Sequence, residues 1–161
     1  MIFVCCGTQI YQFDRLLIEL DRLIEIGVIE SKDIFAQVGT LNYVPKYFCY
    51  KTFLSHDEFE EYRTKASLII SHGGTGALIG ASKLGKNIIA VPRLAQYGEH
   101  IDDHQLQIVE VLEEQGYLRA VYDIKMLEKT INESRKNPIT KRYAIPSNVI
   151  PLIEKQIEEW F

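Results

Sequence analysis

An apolar run that breaks on a cluster of glycines constrains this chain more than any other feature. Leu68-Ile69-Ile70 reads as a buried strand, and Ser71-His72-Gly73-Gly74-Thr75-Gly76 follows it directly. Beyond Thr75 the pattern turns helical, with Gly80 inside the run and Gly85 placed as its stop. A strand that passes through glycines into a helix leaves several backbone N–H groups unpaired at one point. The helix dipole adds about half a positive charge there. With no Cβ in the way, a ligand can approach that backbone closely. The arrangement predicts a cradle for a phosphate or another anion, in preference to a bare strand-to-helix turn.

The 161 residues suffice for one domain with a real core. A net charge of −4 and the lack of a basic tract argue against a nucleic-acid partner. They leave room for one small anion, which needs only a local site. Cys5, Cys6 and Cys49 are odd in number and show no C-x-x-C spacing, which argues against a disulfide frame or a zinc site. Buried, reduced thiols of a cytoplasmic protein are the expectation. No charged leader precedes Met1-Ile-Phe-Val, and no apolar run nears the ~20 residues a bilayer span requires. Membrane contact is therefore expected only at the inner face, through a partner.

Met1–Cys6 reads as a strand ending in Gly7-Thr8. A helix follows, with Phe13, Leu16, Leu17, Leu20, Leu23 and Ile24 on one face and Asp14, Arg15, Glu19, Arg22 and Glu25 on the other. Asp33–Val38, Tyr47–Leu54, Ser67–Ile70, Asn87–Val91 and Leu118–Val121 read as further strands. Ser55-His-Asp-Glu58 has the form of a capping box and opens a helix to about Lys65. The polar loop Pro92–Asp103 leads into a helix capped by Asp102 or Asp103, with Gln105 in its first turn. Another helix runs from Asp123 to about Arg135.

Strands alternating with helices predict an α/β fold: a Rossmann-like parallel sheet with helices on both faces. Ligands should bind at the carboxyl ends of its strands. Gly7-Thr8, Gly39, Phe53-Leu54, the glycine stretch and the loop from Arg93 to Gln105 all fall at that edge. The organisation expected is a binding domain over residues 1–135. A tether and an amphipathic helix over Asn148–Phe161 would follow, packing on the domain or on a partner. Three glutamates and one lysine leave that helix net negative, which argues against anionic lipid as its target.

Two phosphate motifs fail in detail. Gly74-Thr-Gly76 begins a dinucleotide fingerprint, but Ile79 stands where the third glycine belongs. Gly80-Ala-Ser-Lys-Leu-Gly85-Lys86 imitates a Walker A loop, but Asn87 replaces the magnesium-ligating hydroxyl. No D-x-D occurs anywhere, so no metal-held sugar nucleotide is indicated and no metal cofactor is expected. Arg93 is a candidate diphosphate partner, since a guanidinium matches phosphate oxygens. His72 is expected to position the glycine turn. His100 and His104 are weak candidates for a general base.

Ser71-His-Gly-Gly-Thr-Gly76 followed by Asp102-Asp-His-Gln105 resembles the donor-binding C-terminal domain of glycosyltransferase family 28. The resemblance spans about Met1 to Leu118. The nearest resemblance is to stand-alone subunits of split enzymes. These are the bacterial subunits of capsule and exopolysaccharide assembly, and the sugar-nucleotide subunit of the dolichol-pathway N-acetylglucosaminyltransferase. The opening Phe3-Val-Cys-Cys-Gly7-Thr8 and the run Val91-Pro-Arg93…Gly98-Glu-His100…Asp103-His-Gln105 look most like the bacterial ones.

The resemblance implies the C-terminal half of a GT-B glycosyltransferase that binds a UDP-sugar and transfers a hexose, galactose among the candidates. Uracil would lie near Phe53-Leu54. The diphosphate would meet Gly74, Thr75 and Gly76, helped by Gly7-Thr8. His72, Gly73, Arg93 and Asp103 complete the implied site, and Gln105 would bond a sugar hydroxyl. A membrane-associated partner subunit would present a lipid-linked acceptor, and self-association is a further possibility. The alternative is a non-catalytic nucleotide-sugar-binding subunit that enhances a partner. Gly80 departs from the family, which often carries there a carboxylate for the ribose, and Leu106 replaces a glutamine of the peptidoglycan relative.

Overall fold

The structure, a computed structural model, describes residues 1–144. Six parallel strands form one sheet: β1 (Ile2–Cys5), β2 (Ile34–Gln37), β3 (Cys49–Lys51), β4 (Leu68–His72), β5 (Asn87–Val91) and β6 (Arg119–Ala120). Their order across the sheet is β3-β2-β1-β4-β5-β6. The chain thus reverses its direction of travel between β1 and β4, the switch point where open α/β sheets bind ligands.

Among the described residues five α-helices cover the sheet: α1 (Asp14–Glu25), α2 (His56–Lys65), α3 (Thr75–Lys83), α4 (His104–Glu114) and α5 (Leu127–Lys136). The period of two along β1 sorts its side chains onto opposite faces. Ile2, Val4 and Cys6 join Phe13, just before α1, with Leu16, Leu17 and Leu20 of α1 and Leu127 and Ile131 of α5. Phe3 and Cys5 join Phe59 and Tyr62 of α2, Leu78 and Ala81 of α3, and Val109 and Leu112 of α4. Phe35 stacks on Tyr62 at 4.1 Å. None of the helices among the described residues is long and apolar enough to cross a membrane.

Most expected elements form, with instructive shifts. The capping box at Ser55 forms in both directions, Glu58 N–H donating to Ser55 and Ser55 N–H donating to the Glu58 carboxylate. Strand β4 runs two residues further than expected, through Ser71 and His72, because Ala90 and Val91 of β5 still offer ladder partners there. At the sheet margin the expected strand over Tyr47–Leu54 shrinks to three residues, since β3 has a partner on one side only. Cys5 and Cys6 are buried free thiols, but Cys49 lies exposed on that edge strand. Burial alone pushes the Cys5 thiol up to about 11, so it stays protonated.

Residues 137–144 run back across the domain: Ile139 N–H donates to Asn87, Tyr143 N–H to the Ser82 carbonyl, and the Tyr143 ring lies 5.5 Å from that of Tyr117. The helix expected over Asn148–Phe161 lies outside the described residues.

Candidate functional site

A cleft of about 390 Å³ opens at the carboxyl edge, at the switch point between β1 and β4. One wall is the end of β1, from Cys5 through Gly7, Thr8 and Gln9. Facing it are His72, Gly74, Gly76 and Ala77, where β4 passes into α3. Gln37 of β2 and Leu54, Ser55, His56 and Phe59 at the start of α2 close the far end. Helix α3 begins without a side-chain cap: Gly74 is its N-cap and offers none. Its first-turn N–H groups are left for a ligand at the positive end of the dipole. A Cβ on Gly76 would meet nothing within 4 Å, so the cleft is open at that backbone.

His72 holds the two walls apart. Its Nδ1 lies 3.2 Å from the Cys5 carbonyl, so Nδ1 carries the proton and Nε2 presents a lone pair. A Cβ on Gly7 would sit 2.7 Å from that Nε2, and one on Gly74 only 2.2 Å from it. Both glycines are thus required by the imidazole packed between them. Desolvation first, then the Arg93 charge, pushes the His72 pKa down to about 4.

Unfolded, the same imidazole takes its proton near 6.5. Between these values the unfolded state holds more protons, so stability falls as pH drops from 6.5 towards 4. The loss should be roughly 2 kcal/mol after discounting for the open edge of the ring. Urea titrations across that window should show a shallower decline in His72→Asn, which keeps a donor for Cys5. Equal slopes in the two proteins would contradict the assignment.

The sequence-derived candidates divide. Gly7, Thr8, Leu54, His72, Gly74 and Gly76 line the cleft. Thr75 is exposed at its rim, its side chain on the groove shared with α4. Phe53 is 53% exposed and is not among the residues that line the cleft. The N–H of Gly73 is not free: it donates to Gln105 Oε1 at 3.0 Å, and that oxygen also accepts from Arg93 N–H at 3.1 Å. Gln105 is therefore a buried staple between the glycine turn and the following loop, with its oxygen already engaged. Asp103 accepts from Ala95 N–H at 2.8 Å, fixing the loop.

Arg93 requires a correction. Its guanidinium is not presented to a ligand; the residue is 1% exposed. Nη1 donates to the carbonyls of Tyr11, Gln12 and Glu99, Nη2 donates to that of Cys6, and the group lies 4.9 Å over the Phe13 ring. Glu99, fully buried, is held by Arg15 through a two-pronged pair at 2.9 Å. Arg15 was expected on the solvent face of α1. Together the two arginines clamp the strap from Cys6 to Phe13 against the loop after β5. His100 sits on that loop and His104 at the start of α4, both outside the cleft lining.

Sequence reasoning missed Gln37, Gln9, Ser55, His56 and Phe59. Gln37 had a signal: a polar residue inside an apolar strand. It is 3% exposed, and its Oε1 accepts from Leu54 N–H at 3.1 Å, shaping the far wall. Gly80 also gains a reason. A Cβ there would lie 2.0 Å from Nη1 of Arg63, which α2 extends across α3.

The chain matches the Glycosyltransferase family 28 C-terminal domain over residues 1–157, and it belongs to that family. Among curated proteins it is 28% identical over 125 residues to the human UDP-N-acetylglucosamine transferase subunit ALG13. That stretch is 73% of this chain and 10% of the human protein. With the subunit of the same name from Candida albicans (strain SC5314 / ATCC MYA-2876) it shares 34% identity over 77 residues, 48% of this chain and 25% of that one. The chain thus spans a quarter or less of the curated relatives it matches. An NMR solution structure of ALG13 superposes with a TM-score of 0.57 at 20% identity, covering 96% of this chain and 93% of the other, which supports the fold.

Proposed function

We propose that this chain is the donor-binding subunit of a two-part glycosyltransferase. It would hold a UDP-sugar while a membrane-associated partner, at the cytoplasmic face, presents a lipid-linked acceptor. The observation that carries this reading is the uncapped N-terminus of α3 opening into a cleft at the switch point. An acceptor hydroxyl attacks the sugar's anomeric carbon, the bond to the diphosphate oxygen breaks, and UDP leaves with added negative charge. Fixed amides at a helix N-terminus stabilise that charge.

The need for a partner has its own support. Among the described residues no carboxylate lines the cleft, and the imidazoles there are His56 and the neutral His72. A general base for the acceptor would therefore come from elsewhere. Ile10 and Ile101, 81% and 76% exposed, lie on neighbouring segments of the rim that the contact between Tyr11 and His100 joins. Such apolar side chains suit a covering protein surface. The resemblance to bacterial subunits favours capsule or exopolysaccharide assembly as the setting. The name of the curated relatives makes N-acetylglucosamine a sugar to test beside galactose and glucose.

Calorimetry with UDP, ADP and GDP tests the donor claim. UDP should bind at least tenfold more tightly than the others, and equal affinities would sink the proposal. Titrations with UDP-galactose, UDP-glucose and UDP-N-acetylglucosamine then rank the sugars. The bare set of bases in the cleft also suits a second reading, a subunit that binds the nucleotide sugar and only enhances its partner. A radiolabelled transfer assay with the chain alone and with its partner separates the two.

A further inference from the structure

The loop after β5 carries His100 and Asp102, His104 opens α4, and the fold brings these alternate positions together. One nitrogen of each imidazole and one oxygen of the carboxylate lie within 4.8 Å of one another. Asp102 Oδ1 is 3.3 Å from His100 Nδ1 and in contact with His104 Nδ1. Ligands around a tetrahedral zinc ion with bonds of about 2.1 Å are themselves about 3.4 Å apart, a spacing the His100–Asp102 pair has and to which the hydrogen-bonded His104–Asp102 pair would open when an ion replaces the proton between them. The two ring centroids are 4.7 Å apart, set edge to face.

His100 is the residue that most needs explaining. It is 7% exposed, and its Nε2 is buried without a hydrogen-bond partner. Its Nδ1 faces Asp102, whose N–H lies at 3.4 Å and whose Oδ1 lies at 3.3 Å, both beyond good hydrogen-bond length. The Nδ1 side of a buried imidazole that lacks a firm hydrogen bond is open to an ion or water. The supports on either side are rigid. Glu99, next in sequence, is locked by Arg15, and Gln105, next after His104, is stapled to Gly73 and Arg93. The three donors therefore hang between two fixed points, as a preformed site requires.

We infer that His100, Asp102 and His104 form a site for one divalent transition-metal ion of the zinc, cobalt or nickel kind. Two imidazoles and one carboxylate suit borderline ions and disfavour magnesium or calcium, which take oxygen ligands. Three protein ligands leave a coordination position open, and the exposure of Asp102 and His104 places it toward solvent. The site lies beside the strap from Gly7 to Phe13, since the Tyr11 ring is 5.5 Å from His100. It departs from the expectation, drawn from the missing D-x-D, that the chain uses no metal. It involves neither the cleft nor a nucleotide.

The test uses the full chain, stripped with chelator and then titrated with Zn2+ alone by calorimetry, in a Cys49→Ser background that removes the exposed thiol. One Zn2+ per chain should bind with micromolar affinity, and Co2+ should give a visible absorption band. Asp102→Ala and His104→Ala should each weaken Zn2+ binding at least tenfold and abolish the band, whereas His56→Ala should change neither. Asp102→Asn serves if the alanine variant misfolds, because it keeps an acceptor for His104 N–H while losing the charge. Binding no tighter than millimolar, or binding indifferent to these substitutions, would leave an ion pair alone and overturn the site. Because nucleotide is absent throughout, failure here is distinct from failure to bind UDP.

Discussion

Replacing Arg93 with methionine is expected to destabilise the domain by about 3 to 5 kcal/mol, the range for breaking a buried charge network. The guanidinium satisfies carbonyls of Cys6, Tyr11, Gln12 and Glu99, groups contributed by two segments far apart in sequence. Methionine fills part of the volume and satisfies none of them, and each buried carbonyl then lacks a partner. Arg93→Lys should be nearly as costly, because one ammonium cannot reach so many acceptors in the directions a planar fork does. Urea unfolding measures both. If Arg93→Met shifts stability by less than about 1 kcal/mol, the clamp does not hold the strap, and Arg93 returns as a candidate ligand group.

Gly76→Asp is expected to separate folding from binding. Position 76 is in the first turn of α3, where a carboxylate interacts favourably with the dipole, and no atom lies within 4 Å of the Cβ it would add. Stability should hold or rise by a few tenths of a kcal/mol. The same carboxylate would point its charge into the space proposed for the diphosphate. UDP affinity should fall by roughly a hundredfold or more, a few kcal/mol of like-charge repulsion in a partly enclosed cleft. Calorimetry on a variant shown folded by circular dichroism reads this directly. Unimpaired UDP binding would mean the phosphates lie elsewhere.

How much of this was legible in the sequence depends on the range of the interaction. The capping box at Ser55, the strand Asn87–Val91 and the helix stop at Gly85 are written in a few neighbouring residues, and the structure shows each of them. The cleft was legible in outline, because glycines after an apolar run are a local signal and alternating elements fix which edge they share. The role of Arg93 was not. Its partners include Cys6, Tyr11 and Gln12, which only the pairing of β1 beside β4 brings near. From sequence, a lone arginine in a polar loop reads as a free cation. Gln105 misled for the same reason: nothing local says that its oxygen is occupied by Gly73 and Arg93. The cluster of His100, Asp102 and His104 carries no C-x-x-C signal, and the contact that gathers it depends on how the loop folds.

The packing of His72 against the glycine turn bears on how this sequence can change. The backbone at Gly74 has φ −74 and ψ 123, an extended conformation open to any residue. Its own conformation therefore does not demand glycine; the imidazole two positions earlier does. Gly7 differs, because its φ of +88 would strain any side chain. Across descendants of this chain, position 7 should stay fixed on its own account, while position 74 is free to drift only after position 72 has shrunk. Two of the cleft's glycines thus look alike in the sequence but answer to different histories: one to its own torsion, the other to a neighbour.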